Sequence, residues 1–230
     1  MNIINNKWVV VASLLGLCGF ASAQSAGTWM VRAGATNITP SNPSGNLSAP
    51  AFYVVPRNGI GSQTNTGSDT QLGGGFTYMY TDHLSVDVPL ALPFKHKLYG
   101  AGAIEGVGQI GEVQALPMTV FLQYRFLEAN AKFRPYVGLG ATYAYLFNEE
   151  GSGTLTALSN PGGTPTKISA DSKLALTAQI GATLALNDKW FVDVFYSKTK
   201  LTTKITLSTG QTVDAALDPA TYGVAVGYKF

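Results

Sequence analysis

The last eleven residues sort into two faces with nothing left over. Ala220, Tyr222, Val224, Val226, Tyr228 and Phe230 fall on one, and Thr221, Gly223, Ala225, Gly227 and Lys229 on the other. Strand side chains alternate with period 2, and a sheet with one face in water carries apolar residues on one side and polar ones on the other. Here the second face is small and nearly uncharged, while the apolar face ends on an aromatic residue at position 230. Lipid outside and a narrow lumen inside would accommodate both faces.

Residues 1–23 read as a cleaved signal peptide. Lys7 supplies the positive start, Trp8 to Phe20 the apolar run, and Ala21-Ser22-Ala23 a small-residue cleavage site. The run is too short for a membrane helix. The lone cysteine, Cys18, lies inside it behind Leu17, where a lipidated cysteine would want a small neighbour. Residues 24–230 then form one domain without thiol chemistry. Charged residues make up only 12% of the chain, about half the usual fraction. The net charge of +2 gives no support for nucleic-acid binding.

Alternating segments recur along residues 24–230. One face of the second collects Leu72, Phe76, Tyr78 and Tyr80; the third aligns Leu84, Val86, Val88, Leu90, Leu92 and Phe94; the fourth aligns Leu116, Met118, Val120, Leu122, Tyr124 and Phe126. Further segments begin near 133, 173, 190 and 212, which with the first, from Thr28 to Asn37, gives eight strands. Links near 82, 130 and 188 are short, whereas those near 50, 105 and 160 are long and glycine-rich or polar. The expected fold is therefore all-β, an eight-stranded antiparallel transmembrane β-barrel with short periplasmic turns and longer extracellular loops, placed in the bacterial outer membrane. A soluble barrel would need these bulky faces inside, where a small lumen has no room for them.

The alternation points Arg32, Asp87, Gln123, Arg125, Arg134, Asp193 and Lys229 inward, as a polar plug in which buried charges pair. Inward glycines, among them Gly73, Gly75, Gly140, Gly181, Gly223 and Gly227, either leave a cavity or permit strand curvature. Pro89, Pro93 and Pro117 each lack a ladder donor at similar height on adjacent strands. They mark either a lateral opening in the wall or a pair of tolerated bulges. Lys95, Lys97, Lys198 and Lys200 flank the outer strand ends, where they would meet lipopolysaccharide phosphates or simply form a solvated rim. Trp29, Tyr78, Tyr80, Tyr124, Phe126, Trp190 and Phe230 form an aromatic girdle.

Nothing in the pattern suggests an enzyme. His83 and His96 are the only histidines, and neither belongs to a recognisable catalytic or metal-ligand spacing. No cofactor or metal is expected.

Four strings add a resemblance. PFKHK at 93–97, LPMTVFLQYRF at 116–126, FRPYVGLG at 133–140 and LDP…GYKF at 217–230 resemble, in order, the outer membrane protein W family. The resemblance implies an eight-stranded outer-membrane barrel that passes small hydrophobic molecules. A barrel that contacts lipopolysaccharide, phage or host without transport is the alternative. Tyr228 and Phe230 resemble the C-terminal signature read by the barrel-assembly machinery.

Overall fold

The computed structural model describes residues 24–41, 44–48 and 61–230; the signal segment at 1–23 lies outside them. The elements in chain order are β1 (Trp29–Thr39), β2 (Ser62–Thr66), β3 (Asp69–Met79), β4 (Leu84–Ala91), β5 (Phe94–Gly102), β6 (Gln109–Arg125) and β7 (Phe133–Gly151). There follow α1 (Gly153–Ser159), β8 (Ile168–Ala170), β9 (Lys173–Ala185), β10 (Trp190–Lys200), β11 (Thr202–Leu207), β12 (Thr212–Ala216) and β13 (Ala220–Lys229).

The wall is a closed antiparallel circuit. β1 pairs with β3 and β13, β13 with β10, β10 with β9, β9 with β7, and β7 with β6; β4 and β5 together form the stave between β3 and β6. Eight staves close without an edge, which is what a β-structure in lipid requires because the hydrocarbon offers no hydrogen-bond partner. Leu72, Leu139, Leu174 and Leu176 are among the most exposed residues. Their exposure is that of a lipid-facing surface rather than a failed core.

The short links lie at one end with the start of β1 and with Phe230, as expected for the periplasmic side. At the other end the staves continue past the lipid-facing band. The glycine-rich stretch from 97 to 112, expected as a loop, is instead a hairpin of β5 and β6, turned where Gly102, Gly106 and Gly108 adopt positive φ. β8, β11 and β12 make a small second sheet. Ser152 caps α1 by accepting the Leu155 N–H. Leu98, Ile110, Leu146, Leu155, Ile205 and Val213 pack together among these elements as an apolar cluster above the barrel.

Candidate functional site

The lower lumen is filled by a connected polar floor. Arg32 donates through both terminal nitrogens to Asp87, at 2.6 and 2.9 Å, and Thr77 donates to the same carboxylate. Arg32 Nε stands 3.6 Å from Asp193 Oδ2, an ion-pair distance without a hydrogen bond. The Tyr136 hydroxyl donates to Asp193, with Oδ1 at 3.1 Å and Oδ2 at 3.3 Å. Arg125 lies over the Tyr136 ring, 4.7 Å from its centroid, and donates to Ser85, Gln123 and Gln24. Gln123 donates to Gln179, which carries the network across to β9.

Arg134 closes the periplasmic mouth by donating to the backbone carbonyls of Gln24, Asp82, Phe126 and Leu127. Lys229 is buried on β13, apart from these bonds. The pairing expected of the inward charges therefore holds for Arg32 with Asp87 and Asp193, but not for Arg125 and Arg134. Both of the latter are satisfied by neutral oxygens, since a guanidinium has five donors. Arg125 uses a serine hydroxyl and two glutamine side-chain oxygens, and Arg134 uses backbone carbonyls. Tyr136 and Gln24 belong to this floor although neither stood out in the sequence. Tyr136 shares the parity of Arg134 and Gly138, which is the signal that could have found it.

Four of the inward glycines open no cavity at their own positions. Each faces an aromatic ring on the neighbouring stave: Gly140 is paired with Phe121, Gly181 with Tyr136, Gly223 with Phe195 and Gly227 with Phe191. A β-carbon on Gly140 would come 2.6 Å from the Phe121 ring, and one on Gly223 2.8 Å from Phe195. The missing side chain makes room for a ring from across the ladder, which is the cross-strand pair as the unit of sheet packing.

Above the floor the lumen opens into a cavity of about 120 Å³, with Ile38, Phe94, Leu98, Leu146 and Phe195 in its lining. Threonines form its lower belt. Thr119, Thr142, Thr177 and Thr199, on four successive staves, link hydroxyl to hydroxyl at 2.8, 2.6 and 2.9 Å. Hydroxyls satisfied by one another along the wall leave methyl groups as what these residues offer the lumen, so a chamber rich in threonine is effectively apolar.

The wall of this chamber is interrupted at one place. β4 pairs with β6 from Leu84–Tyr124 to Asp87–Phe121, and the ladder resumes only at Phe94–Ala115. Residues 88–93 and 116–120 have no ladder pairs with each other, a stretch of about 20 Å at strand rise. Pro89, Pro93 and Pro117 all fall in it. Pro89, Leu90 and Pro117 line the chamber, yet Leu90 is 53% exposed on the outer surface.

The break also inverts the faces of the stave. In β4 the even-numbered residues point outward, whereas in β5 Phe94, His96 and Leu98 are buried and Lys95 and Lys97 are exposed. Phe94, expected on the lipid face, is therefore inside, and so is His96. Lys198 donates to Ser41 Oγ and to the Asp218 carbonyl, and Lys200 lies 3.2 Å from the Asp218 carboxylate. These two lysines are thus engaged within the protein and stand on a different side of the barrel from Lys95 and Lys97. Among the described residues no group of three His, Cys, Asp or Glu side chains could hold a metal ion.

A closed eight-stave barrel with a lipid-facing apolar band, short turns at one end and a polar interior floor defines a bacterial outer-membrane β-barrel protein. Residues 25–230 match the OmpW family, and the chain belongs to it. Outer membrane protein W of Vibrio cholerae serotype O1 is 34% identical, over 95% of this chain and 99% of its own. The dibenzothiophene metabolism operon protein PahQ of Pseudomonas aeruginosa is 25% identical over 88% of each chain. The crystal structure of the outer membrane protein OprG from Pseudomonas aeruginosa superimposes with a TM-score of 0.78 at 27% identity, covering 90% of this chain and 98% of that one.

Proposed function

We propose that the barrel takes small hydrophobic molecules from outside into its upper chamber and releases them sideways into the membrane through the gap between β4 and β6. The observation that carries this reading is Leu90, which belongs both to the chamber lining and to the lipid-facing surface. The floor supports a sideways exit. A greasy solute continuing downward would have to displace the bonds of Arg32, Asp87, Asp193 and Arg125, and breaking buried charge pairs is costly. The kinship with PahQ, whose name ties it to dibenzothiophene metabolism, is consistent with an apolar cargo.

A photoactivatable alkane applied to outer-membrane vesicles tests the route. Labelling is expected at Ala144 and Phe195 in the chamber and at Leu90 and Pro117 in the gap. Labelling confined to outward residues such as Leu139 and Leu176 would contradict it. We also propose that Lys95 and Lys97, exposed just above the gap, meet lipopolysaccharide phosphates. Lys198 and Lys200 would do so only alongside their bonds to the 218 turn.

A further inference from the structure

Among the described residues that line the chamber, one side chain is titratable, His96. It stands on β5 opposite Val113, two residues above the point where the ladder resumes, and so at the upper lip of the gap. Its Nδ1 lies 2.8 Å from the carbonyl oxygen of Gly67. A carbonyl only accepts, so Nδ1 carries the hydrogen and the neutral ring presents Nε2 as an acceptor. The ring is stacked on Phe94, with centroids 6.4 Å apart and planes 15° apart, so its orientation is fixed from two sides. Among the described residues Nε2 has no hydrogen-bond partner, and it is not a buried orphan; His96 itself lines the chamber.

The lipid-facing band ends below this level, since Lys95 and Lys97 point outward here. Burial pushes the imidazole below its ordinary titration range, against a smaller upward pull from the Gly67 bond and Asp69. Asp69 is itself occupied by Gln71 and the Lys95 N–H. The ring therefore remains neutral at neutral pH and keeps its acceptor. The hydroxyls of Thr119, Thr142, Thr177 and Thr199 lower in the chamber satisfy one another, and His96 Nε2 stands as an open acceptor at its upper end.

We propose that His96 Nε2 accepts the O–H of an aliphatic alcohol whose tail lies in the chamber toward Leu90 and Pro117, so that the site favours hydroxyl-bearing hydrocarbons over plain ones. This rests on the reading of the chamber as a hydrophobic binding space. An alcohol brings the one donor that Nε2 lacks, whereas an alkane leaves it unsatisfied, and a charged solute would be stripped of water in an apolar chamber.

Binding of ¹³C-labelled octane and 1-octanol to the folded protein in lipid nanodiscs, read by NMR, tests it. The wild type is expected to hold octanol about five-fold more tightly than octane, the yield of one neutral hydrogen bond. Octanol binding should also shift the His96 Nε2 resonance. His96→Leu should bring the octanol-to-octane affinity ratio down to about one, and His96→Gln, which keeps an acceptor, should restore part of the preference. An unchanged preference in His96→Leu overturns the inference alone. Binding of neither octane nor octanol by the wild type overturns the chamber reading and the inference with it, and equal affinity for the two overturns the inference alone.

Discussion

Tyr136 lies across Gly181 on the neighbouring stave, with its hydroxyl on Asp193 and its ring under Arg125. A β-carbon at position 181 would occupy the space of the tyrosine ring and come 2.7 Å from the Val194 carbonyl. One absent side chain thus lets the wall and the polar floor share a single residue. Gly181→Ala is expected to destabilise the barrel by about 1–3 kcal/mol, as overpacking does. Tyr136→Leu should couple with it in a double-mutant cycle, because the two positions are in direct contact. Denaturant unfolding in micelles would check this, and strict additivity would show that the ring does not depend on the glycine.

The Arg32–Asp87 pair should behave as a buried ion pair whose halves cannot be removed singly. Asp87→Asn leaves Arg32 with Asp193 at 3.6 Å as its remaining carboxylate. A loss of about 3 kcal/mol is expected in the same unfolding measurement. A change within 0.5 kcal/mol, roughly the size of an ordinary surface substitution, would mean that Thr77 and Asp193 already hold the guanidinium.

Asp218, between β12 and β13, ties that link to the one between β10 and β11: its carboxylate accepts the Leu201 N–H at 2.8 Å and faces Lys200. A slight burial penalty tends to raise its pKa, but the Leu201 and Lys200 bonds outweigh it and hold the carboxyl below its ordinary value. A depressed folded pKa means that the contribution is complete above about pH 4 and disappears as pH falls through the folded value. Hydrogen exchange at the Leu201 amide, corrected for intrinsic rate, should therefore accelerate only in acid. Asp218→Asn tolerates the local φ of 27°, since asparagine is among the residues that adopt positive φ, and should retain much of the backbone bond. Asp218→Ala should give the acid behaviour at neutral pH.

Phe230 closes the circuit by donating its N–H to the Trp29 carbonyl at 2.8 Å, with its ring edge-on to Tyr228. Deleting it is expected to reduce the amount of folded barrel in the outer membrane, scored by heat-modifiable mobility on gels. Normal assembly without it would remove the signature role from this residue.

The wall was legible in the sequence because lipid imposes alternation on every stave, and inward charges such as Arg32, Asp87 and Asp193 stand out against it. What was not legible depends on register. The threonine belt joins residues as far apart in sequence as Thr119 and Thr199, and only the pairing of four staves brings them to one level. The glycines were visible, but their aromatic partners Phe121, Phe191 and Phe195 could be matched to them only across ladders. Phe94 was misplaced for a local reason. The faces invert between Leu92 and Phe94, and a count continued through Pro93 carries the wrong parity into β5.

Sideways release is tested most directly by restoring the missing donors in the gap. Pro89→Val, Pro93→Val and Pro117→Val together supply three N–H groups and three good strand formers, which should let β4 and β6 pair across it. The rate at which intact cells carrying an intracellular alkane hydroxylase convert octane reports its passage across the outer membrane. The triple variant, folded and equally abundant, is expected to convert octane no faster than cells without the barrel. An undiminished rate would contradict exit through this wall.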